Sequence, residues 1–277
     1  FTYLWHQAAW PVMYCSMPQT VIVVPCYNED RRLRKDQFEV FLAQEKDTLL
    51  LFVDDGSRDT TALLLKELTE KFPGKAELLS LEENRGKAEA VRTGILYAAG
   101  HFHPSLVGFF DADLSTPLPT IHEMTAIFES RPEISMVLGS RVKRLGSHIE
   151  RNWLRHVFGR IFASLVSLTL QIPVYDSQCG AKIFKTEVAE KIFSEPFLSR
   201  WIFDVEILGR YIILFGYRTT LKAVCELPLS VWVDDGDSRI RLIDLMRMLP
   251  ELFTLWKKYH RRISGIRKAE WKDKSGS

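Results

Sequence analysis

Leu106–Leu114 reads LVGFFDADL. An apolar run broken only by Gly108 ends at two carboxylates, Asp111 and Asp113, with Ala112 between them. A short apolar run that ends in acid is how a strand buried in a parallel sheet carries side chains to the sheet's edge. Two carboxylates held this close repel, and a divalent cation relieves the repulsion. Hard oxygen ligands suit Mg²⁺ or Mn²⁺, with phosphate oxygens of a bound molecule completing the shell. Asp is also common in solvated turns after strands, so this stretch alone leaves a plain turn as the alternative.

The same pattern recurs upstream. Thr20–Pro25, TVIVVP, reads as a strand followed by Cys26, Tyr27, Asn28 and Glu29; Leu49–Val53 reads as a strand running into Asp54, Asp55, Gly56 and Ser57. A weakly marked helix fills much of 33–45. Asp59 is placed to cap a helix over 60–71, and Pro73-Gly74 breaks the chain. Glu77–Leu81 is a third strand, followed by the polar turn Asn84-Arg85-Gly86-Lys87 and a helix ending near Gly100. Pro117 suits the start of another helix, and Ile134–Leu138 makes the fifth strand. Strands alternating with helices predict an α/β fold, a mostly parallel sheet flanked by helices. Ligands of such sheets sit beyond the carboxyl ends of the strands. All three acid-bearing strand ends fall at that edge.

The alternation stops after Arg141. Segment 141–160 carries Arg141, Lys143, Arg144, Arg151, Arg155 and Arg160 against one acid, Glu150. Ile161–Leu170 follows, apolar on most faces and therefore core, a dimer face or a membrane contact. A loop holds Asp176, Gln178, Cys179 and Gly180. Helices are expected over 187–193 and 203–215, one or two strands over 218–233, and a basic amphipathic helix over about 240–259. The polar tail after Gly265 is expected to be disordered. We divide the chain into an N-terminal arm (1–19), a single domain (20–260, a nucleotide-type half to 141 and an acceptor-side half from 142), and a polar tail (261–277).

Composition narrows the classes. The chain has 277 residues, 46% of them apolar, enough for a sizeable core. A net charge of +2 gives no bulk argument for nucleic acid. Cys15, Cys26, Cys179 and Cys225 are scattered without a CxxC pair, and the seven histidines show no ligand spacing. No uncharged apolar run is long enough to span a bilayer.

With these residues in view, the chain resembles the inverting glycosyltransferases of family 2, which have the GT-A fold. Within them it is similar to the dolichyl-phosphate (polyprenyl-phosphate) glucosyl- and mannosyltransferase group. The resemblance covers about 20–255 and rests on an ordered set: PCYNED at 25–30, VDDGS at 53–57, ENRGKAEAVRTG at 83–94, DADLS at 111–115, DSQCGAKIF at 176–184 and WIFDVEIL at 201–208. It implies that Pro25, Tyr27, Glu29 and Asp55 contact the nucleoside, and that Arg85, Gly86 and Lys87 lie near the nucleotide. Asp111, Ala112 and Asp113 correspond to the metal motif, with Asp113 the direct ligand of Mg²⁺ or Mn²⁺. Gln178, Cys179 and Gly180 match a loop near sugar and acceptor, and Asp204 and Glu206 an acidic motif on the acceptor side. Trp232, Ser238 and Arg239 resemble a further acceptor motif, with Asp237 inserted. Arg141 and Arg155 are the groups suited to a lipid phosphate, because a guanidinium fork fits phosphate. Such an acceptor is already anionic, so Asp204 and Glu206 remain open as base or as orienting groups.

The expected activity is transfer of glucose from UDP-glucose to a polyprenyl (dolichyl) phosphate. GDP-mannose as donor, another acceptor, and a nucleotide-sugar-binding scaffold are the alternatives. A serine frequent in mannosyl members is replaced by Gly159. The expected location is the cytoplasmic face of a membrane, peripheral or tethered by a segment absent from this chain, with a homo-oligomer possible in principle.

Overall fold

The structure, a computed structural model, describes residues 18–146, 148–150, 153–233 and 242–275, with backbone alone for 150, 153–158, 242–247 and 273–275. In chain order, the first half runs β1 (Thr20–Cys26), α1 (Lys35–Gln44), β2 (Thr48–Asp54), α2 (Thr61–Lys71), β3 (Ala76–Ser80), α3 (Lys87–Phe102), β4 (Leu106–Phe110), α4 (Thr120–Ser130) and β5 (Met136–Ser140). The second half runs β6 (His148–Glu150), α5 (Trp153–Leu170), β7 (Ala181–Lys185), α6 (Thr186–Phe193), α7 (Phe203–Phe215), α8 (Tyr217–Ala223), β8 (Val224–Pro228), β9 (Val231–Val233) and α9 (Leu242–Ser275).

Seven strands form one sheet in the order β3-β2-β1-β4-β7-β5-β8, and β6 pairs with β9 in a small second sheet. The α/β architecture expected from the alternation is present. Every pairing in the large sheet is parallel except those of β7, which runs antiparallel to both β4 and β5. Strands β2 and β4 flank β1, so Val21 sits between Leu49 and Val107. Helices cover both faces, so β1 and β2 are apolar without alternation. Successive side chains still point to opposite layers. Val21 and Val23 join α3, α6 and α7 in one core, whereas Ile22 and Val24 join α1, α2 and α4 in the other. Gly108 is required by this packing, since a Cβ there would lie 2.3 Å from the Lys182 carbonyl oxygen of β7.

The structure corrects several expectations. Residues 218–223, the start of the 218–233 span read as strand, belong to α8; the strands begin only at Val224. The final helix runs on to Ser275, through the tail expected to be disordered. Pro117 lies in the turn before α4, whose cap is Pro119. Helix α3 does end near Gly100, at Phe102, with His103 in the left-handed region at φ 49°. Asp59 precedes the α2 cap, Thr60, and accepts the Thr61 N–H through Oδ1 at 3.0 Å. Residues 1–17 of the expected arm, Ser238, Arg239 and the Arg155 side chain lie outside the described residues.

Candidate active site

The carboxyl ends of β1, β2 and β4 meet at one edge, and their loops are tied together by hydrogen bonds. The Asn28 N–H donates to Ser57 Oγ at 3.0 Å, and Asn28 Oδ1 accepts from the Arg58 N–H at 2.9 Å. The Glu29 N–H donates to Thr61 Oγ1 at 2.7 Å, and Glu29 pairs with Arg32 at 3.7 Å. Pro25 and Tyr27 are half-buried at the same strand end.

Asp55 organises the next layer. Its Oδ1 accepts the Arg85 N–H at 2.8 Å; its Oδ2 accepts the Gly86 N–H at 2.8 Å and the Asn84 side-chain amide at 2.9 Å. Gly86 has φ of +90°, a conformation a side chain would strain. Burial raises the Asp55 carboxyl above its usual range, against the two backbone N–H bonds and Arg200. Asp55, which the resemblance sets near the nucleoside, is the post that holds the turn from Asn84 to Gly86, leading into α3. The Arg85 side chain is exposed and lies 3.6 Å from Glu83.

Lys87, the first residue of α3, places Nζ 2.5 Å from Asp111 Oδ1. Burial opposes the Lys87 charge, but Asp111, Asp204 and Asp113 outweigh it and raise the ammonium pKa. Asp113 is raised by burial first and by Asp111 second, partly offset by the Ser115 N–H, which donates to Oδ1 at 2.9 Å. Ala112 between them is buried. Asp111 Oδ1 has the ion-pair contact with Lys87 but no aligned hydrogen bond. Two mutually repelling carboxylates, one with an oxygen not hydrogen-bonded, fit a divalent cation whose remaining ligands come from a diphosphate. Among the described residues no group of three or more His, Cys, Asp or Glu gathers to hold a metal without such help.

The Gln178–Gly180 loop closes over Asp111. The Asp111 N–H donates to the Gly180 carbonyl at 3.0 Å, and a Cβ on Gly180 would lie 2.0 Å from Asp111 Oδ2. Gly180→Ala is therefore expected to displace the Asp111 carboxylate and lower kcat at least about tenfold, because a misplacement near 1 Å costs orders of magnitude in rate. Steady-state transfer assays beside a thermal melt check this, the melt showing whether the loss is local. Cys179 is fully buried, with its thiol raised by burial, and serves packing. Gln178 Nε2 is buried with no hydrogen-bond partner among the described residues.

Arg141 was expected to offer its fork to an acceptor phosphate. That fork is already engaged: Nε donates to Asp176 Oδ2 at 2.6 Å and Nη2 to Oδ1 at 2.7 Å. Trp232 lies beneath the guanidinium, 5.4 Å from its carbon to the ring centroid. Burial disfavours the Arg141 charge, and Asp176 more than restores it.

Asp204 and Glu206 part ways. Asp204 accepts a hydrogen bond from Lys182 Nζ at 2.5 Å, and the same ammonium donates to the Cys179 carbonyl at 2.6 Å. Lys182 is wholly buried in β7. Glu206, also wholly buried, accepts from the Leu198 N–H at 2.8 Å, Tyr259 Oη at 2.9 Å and Arg210 Nη2 at 3.1 Å. It ties α7 to α9 and to the 198–199 turn; of the two roles left open for it, base or orienting group, these contacts fit the second, with Arg210 as the group held. Lys182, Arg200 and the Asp176 partner of Arg141 are site features that sequence reading missed. The KIF of DSQCGAKIF held the clue to the first, as a Lys inside a strand buried on both faces.

Comparison with known proteins follows the same lines. A family model described as Glycosyl transferase family 2 matches residues 21–193. A dolichyl-phosphate beta-glucosyltransferase of Drosophila melanogaster is 32% identical over 271 residues, covering 90% of this chain and 78% of that protein. One of Trichomonas vaginalis is 31% identical over 245 residues, covering 84% of this chain and 69% of that protein. A crystal structure of glucosyl-3-phosphoglycerate synthase from Mycobacterium tuberculosis, in complex with Mg²⁺ and uridine diphosphate, superposes with a TM-score of 0.64 at 18% identity, covering 92% of this chain and 85% of that one. That last likeness is one of fold.

Proposed function

The chain belongs to glycosyl transferase family 2, and from that premise we propose that it moves glucose from UDP-glucose to a polyprenyl phosphate with inversion. It is a nucleotide-sugar-dependent glycosyltransferase related to the dolichyl-phosphate glucosyltransferases. The observation that supports the finer reading is the meeting at one edge of Asp111, beside Asp113 and with Lys87 as its charge partner, and the buried Gln178 Nε2, which has no hydrogen-bond partner among the described residues. A diphosphate–metal unit satisfies the first, and a sugar hydroxyl or phosphate oxygen satisfies the second.

In this reading Asp111 and Asp113 would hold Mg²⁺ or Mn²⁺, which supplies positive charge to the diphosphate as it leaves. Lys87, at the N-terminal end of α3, adds a second fixed charge where negative charge develops. Asp55 keeps the Asn84–Gly86 turn in place beneath it. An acceptor phosphate oxygen attacks the anomeric carbon; the bond from that carbon to the diphosphate oxygen breaks, and UDP departs. The acceptor needs no base, because a phosphate is already ionised at neutral pH. Asp204, held in place by Lys182, then orients the sugar or Lys87. Arg141, fixed by Asp176, presents a cationic wall to the acceptor.

Transfer to a short prenyl phosphate, read by product mass, tests this against a prenyl alcohol and against GDP-mannose. The expected result is product only from UDP-glucose with the phosphate. Equal use of the alcohol would overturn the anionic acceptor, and product from GDP-mannose alone would overturn the donor.

A further inference from the structure

Two arginines of the strand-end edge are already met by acids. Asp176 closes the Arg141 fork, and Glu83 stands beside Arg85. Arg200 is different. Its side chain is exposed, and Nε lies 3.8 Å from the point that a Cβ on Gly86 would take, with no other group outside the adjoining residues within 4 Å of that point. Among the described residues no acceptor meets its guanidinium in a hydrogen bond or ion pair. Asp55 feels the Arg200 charge, but less than it feels burial or the Arg85 and Gly86 N–H groups that it accepts.

The backbone beneath this open cation is tightly held. The Leu198 N–H donates to wholly buried Glu206 at 2.8 Å. Glu251 of α9 accepts the Ser199 hydroxyl, and the Trp201 N–H at 3.2 Å; the Ile202 N–H donates to Ser199 Oγ at 2.8 Å. Upstream, Arg92 of α3 donates to the Ser194 carbonyl at 2.8 Å, and Arg210 of α7 to the carbonyls of Glu195 and Pro196, both at 2.6 Å. Ordering a surface connection costs backbone entropy. Here it fixes the distance from Arg200 to the start of α3. That place does not suit a cation by itself. The amino end of α3 carries the positive end of its dipole. Lys87 stands there too, but Asp111 meets its charge. Arg200 has no such partner, and an anion over Gly86 would supply one.

We propose that Arg200 binds the diphosphate of the donor, reaching it over Gly86 from the α7 side while Lys87 stands on the α3 side. A guanidinium fork matches phosphate oxygens in pairs, which a bare ammonium cannot do. The 194–202 connection is then a bracket for this one residue. The inference rests on the reading of the site as one for a nucleotide sugar.

Titration of the full chain with UDP and with uridine, Mg²⁺ present throughout, tests it. Arg200→Ala should weaken UDP at least about tenfold, the scale of a charge-assisted hydrogen bond, and leave uridine unchanged. Arg200→Lys keeps the charge without the fork and should recover part of the loss. Circular dichroism melts accompany both variants and should match the wild type, because the side chain is exposed. Unchanged UDP affinity in Arg200→Ala overturns the proposal. Equal loss for UDP and uridine also overturns it: with a lowered melt Arg200 is a brace for Asp55, and with an intact melt it contacts the nucleoside. A wild type that takes GDP in place of UDP removes the donor proposed above but not this role, which GDP and guanosine then test in the same way. A wild type that binds neither diphosphate overturns both.

Discussion

Asp113→Asn is expected to lower kcat for glycosyl transfer by at least about 10²-fold, the scale of losing one charge-stabilising group at a reacting centre. Asparagine keeps the shape of Asp113 and its bond from the Ser115 N–H, so the fold should survive. Asp111→Asn should cost less, because Lys87 then loses a partner whose charge it had partly cancelled, and the freed ammonium can turn to the diphosphate. Calorimetry with UDP, with metal and with chelator, separates the two roles. The wild type should bind more tightly with metal, and Asp113→Asn should lose that advantage. Equal affinity for the wild type in both conditions would remove the metal from the diphosphate site.

The second large effect is on stability. Lys182 is wholly buried and Asp204 nearly so, and each is the other's charge partner. Lys182→Met leaves Asp204 ionised without its partner, a change that costs about 3–5 kcal/mol. Denaturant unfolding should show it as a lower midpoint with unchanged slope. Adding Asp204→Asn should recover part of the loss, because a neutral amide is less costly to bury than a lone carboxylate. Turnover of that double variant then tells what Asp204 does. Recovered stability with recovered activity would make Asp204 only an anchor for Lys182, whereas recovered stability without activity places it against substrate or Lys87.

Much of the frame was legible because buried parallel strands are continuous apolar runs. TVIVVP, LLLFV and LVGFF each end in polar residues, and the structure brings those ends to the same edge. What escaped reading depends on partners distant in the chain. Residues 217–223, with Thr219 and Thr220, look β-prone. They fold as α8 because Glu270 accepts the Tyr217 and Arg218 N–H groups at 2.9 and 2.8 Å, capping the helix from the far end of α9. The same contact explains the tail: residues beyond 260 are polar, but Ile263 is buried and Glu270 is committed to α8. Lys182 stands in a stretch, 181–185, to which the sequence reading gave no strand, and β7's place between β4 and β5 buries it. Arg141 read as a free phosphate fork because nothing local announces Asp176, 35 positions along the chain.

Because β7 is the reversed strand, it begins at the edge where its neighbours end. The chain leaves the sheet after β5, makes β6, α5 and the Gln178–Gly180 loop, and comes back in at that same edge. The excursion is thus a cassette with both attachment points on one side. Up to Asp176, short of the Gln178–Gly180 loop that holds Asp111, its length and sequence can drift without shifting the register of β1, β2 and β4 or the carboxylates they carry. A scaffold built this way can vary the excursion while keeping its strand-end carboxylates, and variation among relatives should concentrate between Arg141 and Asp176.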